Sequence, residues 1–361
     1  MHRSDRVLVT GASGFIGGRL TEALVSRGMT VRAATSDVRH CSRIASLPVE
    51  IVEADLNKPD TLARAAEGCD VVFHVAYRFG GDLSQQAVNF EGTQVLADAF
   101  HRSGGRRFVH VSSMCAYGDP RDEDLTEDTP LRPSEDPYSA IKRKIDLLLL
   151  DMHRSHGLPV SIIQPSIVYG PYGTAWTAEP LRHLRTTRIA LPKRGSGLCN
   201  AVYVDDVVAS LLLAAESDAA VGEMFLVSGS APVTWREFYG AFEKMAGTTT
   251  IVEFDEQQFE LERRNQQRNR SLIRRIPRAL AKRATPDFIK AWAQKTLSSS
   301  SSNGDLPLFL PDGLTLALLA SRTHIRIDKA RRLLGYEPAF DLARGMELTE
   351  QWAGSAGLLA A

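Results

Sequence analysis

The sequence predicts an α/β fold built on a doubly wound parallel sheet, and three observations carry that expectation. Short apolar runs alternate with stretches of helical spacing through the first half of the chain. Glycines stand just past the ends of those helical stretches, and a glycine cluster directly follows the first apolar run. The runs Val7–Thr10, Thr30–Ala34, Glu50–Glu53, Val71–Val75, Arg107–Ser112 and Val160–Gln164 read as strands, short and rich in β-branched residues. Between them Phe15–Arg27, Thr61–Glu67, Gln86–Ser103 and Ser139–His156 read as helices, closed by Gly28, Gly68, Gly104 and Gly157. Alternation at this length implies right-handed βαβ units with helices on both faces of the sheet.

After Pro171 the rhythm breaks. Pro180, Pro192, Gly195 and Gly197 punctuate a loop-rich stretch, Ala201–Glu216 returns as strand and helix, and Met224–Ser228 reads as one more strand. The polar tract Leu297–Asp305 holds five consecutive serines and reads as a mobile loop. Leu306–Ala320 is apolar, but Pro307, Pro311, Asp312 and Gly313 interrupt it and argue against a membrane hairpin.

The 361 residues allow two or three domains or one large lobed unit, and 43% apolar with 24% charged residues exclude wholesale disorder. No run of about 20 uncharged apolar residues occurs, and the apolar stretch before the first glycines is too short for a signal peptide. The chain is therefore expected to be cytoplasmic. Cys41, Cys69, Cys115 and Cys199 are scattered without a CxxC pair, so neither a zinc site nor a disulfide framework is expected. His153 and His156 form an HxxH pair without an acidic or cysteine partner and read as a surface helix face, so no metal is expected.

Forty-three basic side chains against 43 acidic ones give zero net charge, but the balance is uneven. Arg263 to Lys295 holds eleven Lys and Arg and one acid, Asp287. The remainder is correspondingly acidic, and no nucleic-acid partner is expected. Within the basic stretch Arg274, Arg275, Arg278, Lys282 and Arg283 alternate with Leu272, Ile273, Ile276 and Leu280. That pattern fits a basic amphipathic helix in weak peripheral contact with an anionic membrane or a partner, or a solvated helix face.

The chemistry begins at Thr10-Gly11-Ala12-Ser13-Gly14-Phe15-Ile16-Gly17. Gly11 permits a tight turn after the first strand, Gly14 lets the backbone approach a pyrophosphate, and Gly17 lets helix and strand pack closely. The N–H groups around Ser13, Phe15 and Ile16 at the helix start then face the phosphates. Asp55-Leu56 closes the third strand, where the carboxylate either accepts from an adenine amino group or caps the next helix. Val75 and Ala76 end the fourth strand, small enough for the backbone to lie along a cofactor, and His74 beside them is given no proton transfer.

Tyr138 and Lys142 open a helix at i, i+4 and share a face. An ammonium beside a phenol lowers its pKa toward the range of a general acid and base. Ser113 ends the preceding strand on the same rim of the sheet, placed to hydrogen-bond a substrate carbonyl while Tyr138 delivers the proton.

The set resembles the extended short-chain dehydrogenase/reductase superfamily, also called the NAD-dependent epimerase/dehydratase family. The matching pieces, in order, are TGASGFIG at 10–17, DL at 55–56, HVA at 74–76, NFEGT with Asn89, VSSMCAYG at 111–118 and YSAIK at 138–142. QPSIVYGP at 164–171, YVDDV at 203–207 and DKARRLLGYEP at 328–338 follow. The resemblance implies a Rossmann-type sheet over residues 1–175 plus 200–228. It implies a smaller C-terminal substrate-binding lobe over 176–199 plus 229–361, with a basic variable insertion near 260–305. It assigns Ser113, Tyr138 and Lys142 as catalytic triad, with Tyr138 and Lys142 also at the nicotinamide ribose. Pro165, Ser166 and Val168 would pass beside the nicotinamide, and Asn89 would belong to the supporting shell.

Thr35 stands where relatives that prefer NAD carry an acid, and Ser36 stands where relatives that prefer NADP often carry Arg. With Arg39 and Arg43 available to a 2′-phosphate, NADP is expected ahead of NAD. Ser166 replaces an Asn common in sugar-nucleotide enzymes, and QPSIVYGP and NAVYVDDV look more like the 3β-hydroxysteroid-dehydrogenase and flavonol-reductase branches. The expected activity is therefore hydride transfer between a nicotinamide and a hydrophobic ketone or secondary alcohol. The alternative, an NDP-sugar epimerase, dehydratase or reductase with tightly held NAD, rests on Arg182, Arg185, Arg188, Lys193 and Arg194 as diphosphate ligands. Gln164 stands where the resemblance expects Arg. The partner expected is a small-molecule substrate, with a homodimer through 86–103 and 139–156 left open.

Overall fold

The structure, a computed structural model, describes residues 1–80, 83–274, 306–311 and 313–359. Seven strands form one sheet: β1 Arg6–Thr10, β2 Thr30–Thr35, β3 Glu50–Glu53, β4 Val71–His74, β5 Arg107–Val111, β6 Val160–Pro165 and β7 Met224–Val227. Their spatial order is β7-β6-β5-β4-β1-β2-β3, and every neighbouring pair is parallel. A parallel strand covered on both faces is apolar throughout rather than alternating, and β4 and β6 are buried at every position.

Side chains of one strand divide between two cores because they point alternately to opposite faces. Val7, Val9 and Phe73 pack with Leu20 and Leu24 of α1 (Phe15–Ser26) and with Val207 and Leu211 of the helix Val204–Glu216. Leu8, Val72 and Phe108 face the other way, against Leu62 of α2 (Pro59–Ala66), Phe100 of α3 (Leu83–Arg102), and Ile141, Ile145 and Leu149 of α4 (Pro137–His156). The start of α4 is fixed by Pro137 in its first turn and by Asp136, whose carboxylate accepts the Ser139 N–H at 2.8 Å. Its end is fixed by Gly157, left-handed at φ 74°.

The described residues divide into two compact units. The first comprises 1–177, 200–233 and 322–352; the second comprises 178–199, 234–321 and 353–361. The stretch 322–352, expected from the sequence in the substrate lobe, packs with the sheet instead. His324–Ile325 pairs in parallel with Asp124–Leu125, and Tyr336, fully buried, donates to the Ser228 carbonyl at 2.9 Å. Asp206 accepts the Ala339 N–H at 2.7 Å. Burying Ala330, Leu334 and Tyr336 holds this stretch on the first unit.

The second unit has its own three-stranded parallel sheet, in which Arg188–Leu191 lies between Ile251–Glu253 and Leu308–Phe309. Its helix Trp235–Ala246 opens with a capping box between Thr234 and Glu237 and buries Trp235, Phe238 and Phe242. The helix Glu256–Arg274 takes in the start of the basic insertion. The rest of the expected basic amphipathic helix and the serine tract lie outside the described residues. Among the described residues no helix is long and apolar enough to cross a membrane.

Candidate active site

The turn after β1 is built by its glycines. Gly11 takes φ 67°, and a side chain there would sit 2.9 Å from the Ala76 backbone. A Cβ on Gly17 would collide with the Gly11 carbonyl, so α1 can cross the turn only with glycine at that place. Gly14 caps α1 without any side-chain hydrogen bond and is exposed. The first-turn N–H groups of a helix have no carbonyl a turn before them, and Gly14, having no side chain, does not cap them. The result is a bare, positively poled backbone cradle, and Phe15, Ile16 and Gly17 supply its amides. Ser13 stands beside it, its hydroxyl 3.0 Å from that of Thr35 at the end of β2. These residues fit a dinucleotide pyrophosphate.

A buried chain of hydrogen bonds fixes the neighbouring strand end. Thr10 Oγ1 accepts the N–H groups of Val75 and Ala76 at 3.1 and 3.2 Å and lies 2.8 Å from His74 Nδ1. An oxygen that already accepts twice gives its own proton to Nδ1, so His74 carries its proton on Nε2 and donates to Thr93 Oγ1 at 2.9 Å. Thr93 in turn donates to the Asn89 carbonyl at 2.7 Å. The Asn89 side chain closes the loop, accepting the Arg78 N–H at 2.7 Å and donating to the Arg78 carbonyl at 3.0 Å. His74 and Asn89 therefore position the backbone of residues 75–78, as the sequence suggested for a structural histidine. Burial first, and Lys142 second, push the His74 pKa down to about 3.

Ser113, Tyr138 and Lys142 meet at the rim of β5. Ser113 is buried, and its hydroxyl accepts the Cys115 N–H at 3.2 Å, capping the turn Met114–Tyr117. Burial drives the Tyr138 phenol well above the ordinary tyrosine range, and hydrogen bonding to the Ser113 side chain opposes that rise. Lys142 donates to the Val111 carbonyl at 2.8 Å and lies 5.9 Å from the centre of the Tyr138 ring. The lowering of Tyr138 by Lys142 expected from their spacing is therefore not what this arrangement gives. The ammonium is committed to the end of β5, and desolvation dominates the phenol.

Behind the triad lies a network that the motifs did not announce. The fully buried Asp146 accepts from Ser112 Oγ at 2.8 Å and from Gln164 Nε2 at 2.9 Å, both on Oδ2. Tyr117 donates to Gln164 Oε1 at 2.9 Å. Gln164 thus serves the carboxylate as a neutral donor. Burial pushes the Asp146 carboxyl up and the Lys142 ammonium down. Asp146 stands four residues past Lys142, so continuing the Tyr138–Lys142 spacing by one turn would have found it. Tyr77 and Phe79 were also missed. Their rings pack on Tyr138, with centroids at 5.2 and 5.9 Å, and only the fold brings the two segments together.

The remaining candidates are placed as follows. Pro165 ends β6; Ser166 donates its N–H to the Val227 carbonyl at 2.9 Å, and Val168 lies in the short strand Ile167–Tyr169 paired with Ala201–Tyr203. Asp55 accepts the Asn57 N–H at 2.9 Å and shapes the turn before α2, whose cap is Lys58. Leu56 packs where a side chain on Gly92 would otherwise sit. Ser36 and Arg39 are exposed, and Arg39 is bound to Asp37 through two nitrogens at 2.9 and 2.8 Å. Arg43 is a strut: its side chain is 9% exposed, bonded to Glu22 and to the Gly14 and Phe15 carbonyls, with its guanidinium over the Tyr172 ring. Asp37 and Arg39 are thus at the end of β2, whereas Arg43 holds the phosphate turn from behind.

A parallel sheet with a bare glycine turn at its centre and Ser113, Tyr138 and Lys142 on the adjoining rim defines a nicotinamide-dependent enzyme of the extended short-chain dehydrogenase/reductase type. The chain belongs to the NAD dependent epimerase/dehydratase family, whose model matches residues 7–228. It is 28% identical over 360 residues, 98% of this chain and 97% of the other, to a 4-hydroxy-2-methyl-3-oxo-4-farnesyl-3,4-dihydroquinoline-1-oxide ketoreductase of Stigmatella aurantiaca. It is 32% identical over 271 residues, 69% of this chain and 85% of the other, to a UDP-glucose 4-epimerase of Mycolicibacterium smegmatis. Among solved structures, a dTDP-glucose 4,6-dehydratase of Streptomyces venezuelae with NAD bound shares the fold, with TM-score 0.71, 22% identity and 98% coverage of both chains.

Proposed function

We propose that this enzyme is a ketoreductase or alcohol dehydrogenase for a hydrophobic ketone or secondary alcohol. The observation that carries the reading is the apolar, aromatic setting of the proton donor: Tyr138 sits between Tyr77 and Phe79. The ketoreductase relative, matched along nearly its whole length, supports the same substrate class. Three of the five alternative diphosphate ligands are engaged within the protein, which weakens the sugar-nucleotide reading. Arg182 is paired with Glu179, Arg185 donates to the Leu358 carbonyl at 2.9 Å, and Lys193 donates to the Ala320 carbonyl at 3.1 Å.

A nicotinamide held at this rim would supply or take up the hydride. Ser113 would hydrogen-bond the substrate oxygen, and Tyr138 Oη would give that oxygen its proton. Burial keeps the phenol protonated at rest, ready to donate. Our reading of the cofactor is NADP ahead of NAD, through Ser36 and an Arg39 that exchanges its exposed pair with Asp37 for the 2′-phosphate; Arg43 is held by Glu22 and the turn carbonyls. A panel of hydrophobic ketones assayed with NADPH and NADH tests both statements. Turnover with NADPH at the higher kcat/KM is the expected result. Near-stoichiometric NAD released from denatured protein, with a Tm raised by UDP, would replace this reading by the sugar-nucleotide one.

We further propose that a second copy packs on the outer face of α3 and α4. An apolar groove of about 560 Å³ runs there between Ala87, Phe90, Ile141, Lys144, Leu147 and Leu148. Leu147, 38% exposed, lines that groove, so the apolar surface there is a contiguous patch and not a lone side chain. Light scattering should give twice the 39.6 kDa chain mass, and Leu147→Glu should give the chain mass itself. A monomeric native protein would end the proposal.

A further inference from the structure

We infer that Phe79 is a specificity-determining residue that forms a platform for a planar aromatic ketone, one whose carbonyl is joined to a flat ring. The inference rests on the oxidoreductase reading above and narrows its substrate class.

Phe79 is 76% exposed, the most exposed large apolar side chain among the described residues. Exposing a phenyl ring forgoes a favourable burial, so the position asks what covers it. Its place answers. One face lies along the ring of Tyr138, nearly parallel at 17°, and the rest of the ring is in solvent. Tyr77 meets Phe79 edge-on at 4.9 Å and Tyr138 edge-on at 5.2 Å. The three rings form one offset cluster around the proton donor, the arrangement that aromatic quadrupoles favour.

The platform is also held in place. Arg78, the preceding residue, is pinned at both backbone groups by Asn89, which belongs to the Thr10–His74–Thr93 chain. The Tyr77 hydroxyl donates to the buried Gln86. Phe79 is therefore an exposed ring on an anchored segment, against the ring of the proton donor. A flat aromatic group conjugated to the reacting carbonyl can lie on the open part of the ring while its oxygen reaches Tyr138. A saturated ring of the same carbon count would gain burial there but no stacking. The charged group nearest the cluster is Lys142, whose ammonium lies 4.4 Å from the centre of the Tyr77 ring and is bonded to the Val111 carbonyl.

The test compares 2-acetonaphthone with its decahydro counterpart, using the full chain and Phe79→Leu. Leucine keeps an apolar side chain and removes the π face, and at so exposed a position it leaves the fold intact. The ratio of kcat/KM for the aryl over the saturated ketone should fall about three- to tenfold in Phe79→Leu, the range of an aromatic pair. The change should fall mainly on KM, and cofactor Kd should stay the same. Comparing ratios cancels the intrinsic reactivity of the two ketones. An unchanged ratio overturns the inference.

A second readout needs no turnover. The Tm shift given by 2-acetonaphthone on the cofactor-loaded protein should be lost in Phe79→Leu, and an equal shift in both proteins overturns the platform. Absence of turnover with a shift that depends on Phe79 would remove the ketoreductase reading and leave the platform standing.

Discussion

Tyr138→Phe should lower turnover by about 10²- to 10⁴-fold, the usual worth of a positioned general acid, while cofactor affinity changes little. The substitution removes one oxygen and keeps the ring, so the contacts with Tyr77 and Phe79 survive. What is lost is the proton that burial holds on the phenol. Ser113 stays in place because its hydroxyl is anchored by the Cys115 N–H. A loss confined to kcat, with cofactor Kd measured by nicotinamide fluorescence unchanged, is the expected pattern. Turnover within tenfold of the native enzyme would take the proton transfer away from Tyr138.

Acid should weaken the first unit through His74, by about 2 kcal/mol between pH 7.5 and pH 5. The native ring has a pKa of about 3, against 6.5 for the free side chain. Between those values the unfolded chain binds more protons than the native one, so stability is full above pH 6.5 and is lost as pH falls toward 3. Geometry gives the same sign. Protonation puts a second N–H on the ring at Nδ1, facing a Thr10 oxygen that already accepts two backbone amides. His110, also fully buried, shifts in the same direction. His74→Gln, with no proton to gain, should lose less stability over this interval. Urea unfolding of both proteins at the two pH values measures the difference, and equal losses would show that His74 contributes nothing to acid sensitivity.

Reading the sequence recovered the sheet because its inner strands are buried on both faces and so appear as continuous apolar runs, while the edge strand β3 shows as the β-branched pair Ile51-Val52 between two glutamates. β3 and β4 were found within a residue of their observed ends, and the glycine turn was found because only glycine meets its steric demands. Three features could not be read this way. Residues 322–352 rejoin the first unit through Tyr336 and Asp206, contacts between residues far apart in sequence. Arg43 looked available to a phosphate, yet the ring of Tyr172 and the carbonyls of the turn claim it. Phe79 had no local pattern to mark it, because its meaning comes from Tyr138, which reaches it only through folding. Local periodicity reports burial; it does not report which distant group a side chain serves.

The return of 322–352 sets a timetable for synthesis. Tyr336, Ala330 and Leu334 complete the core around β7, yet they are made only after all but the last residues of the second unit. At about 5–20 residues per second, a ribosome that has finished β7 still needs on the order of 5–20 s before these residues emerge. Through that interval the nascent sheet carries an uncovered apolar flank, and a chain halted there would leave a sticky fragment instead of a free-standing nucleotide-binding domain.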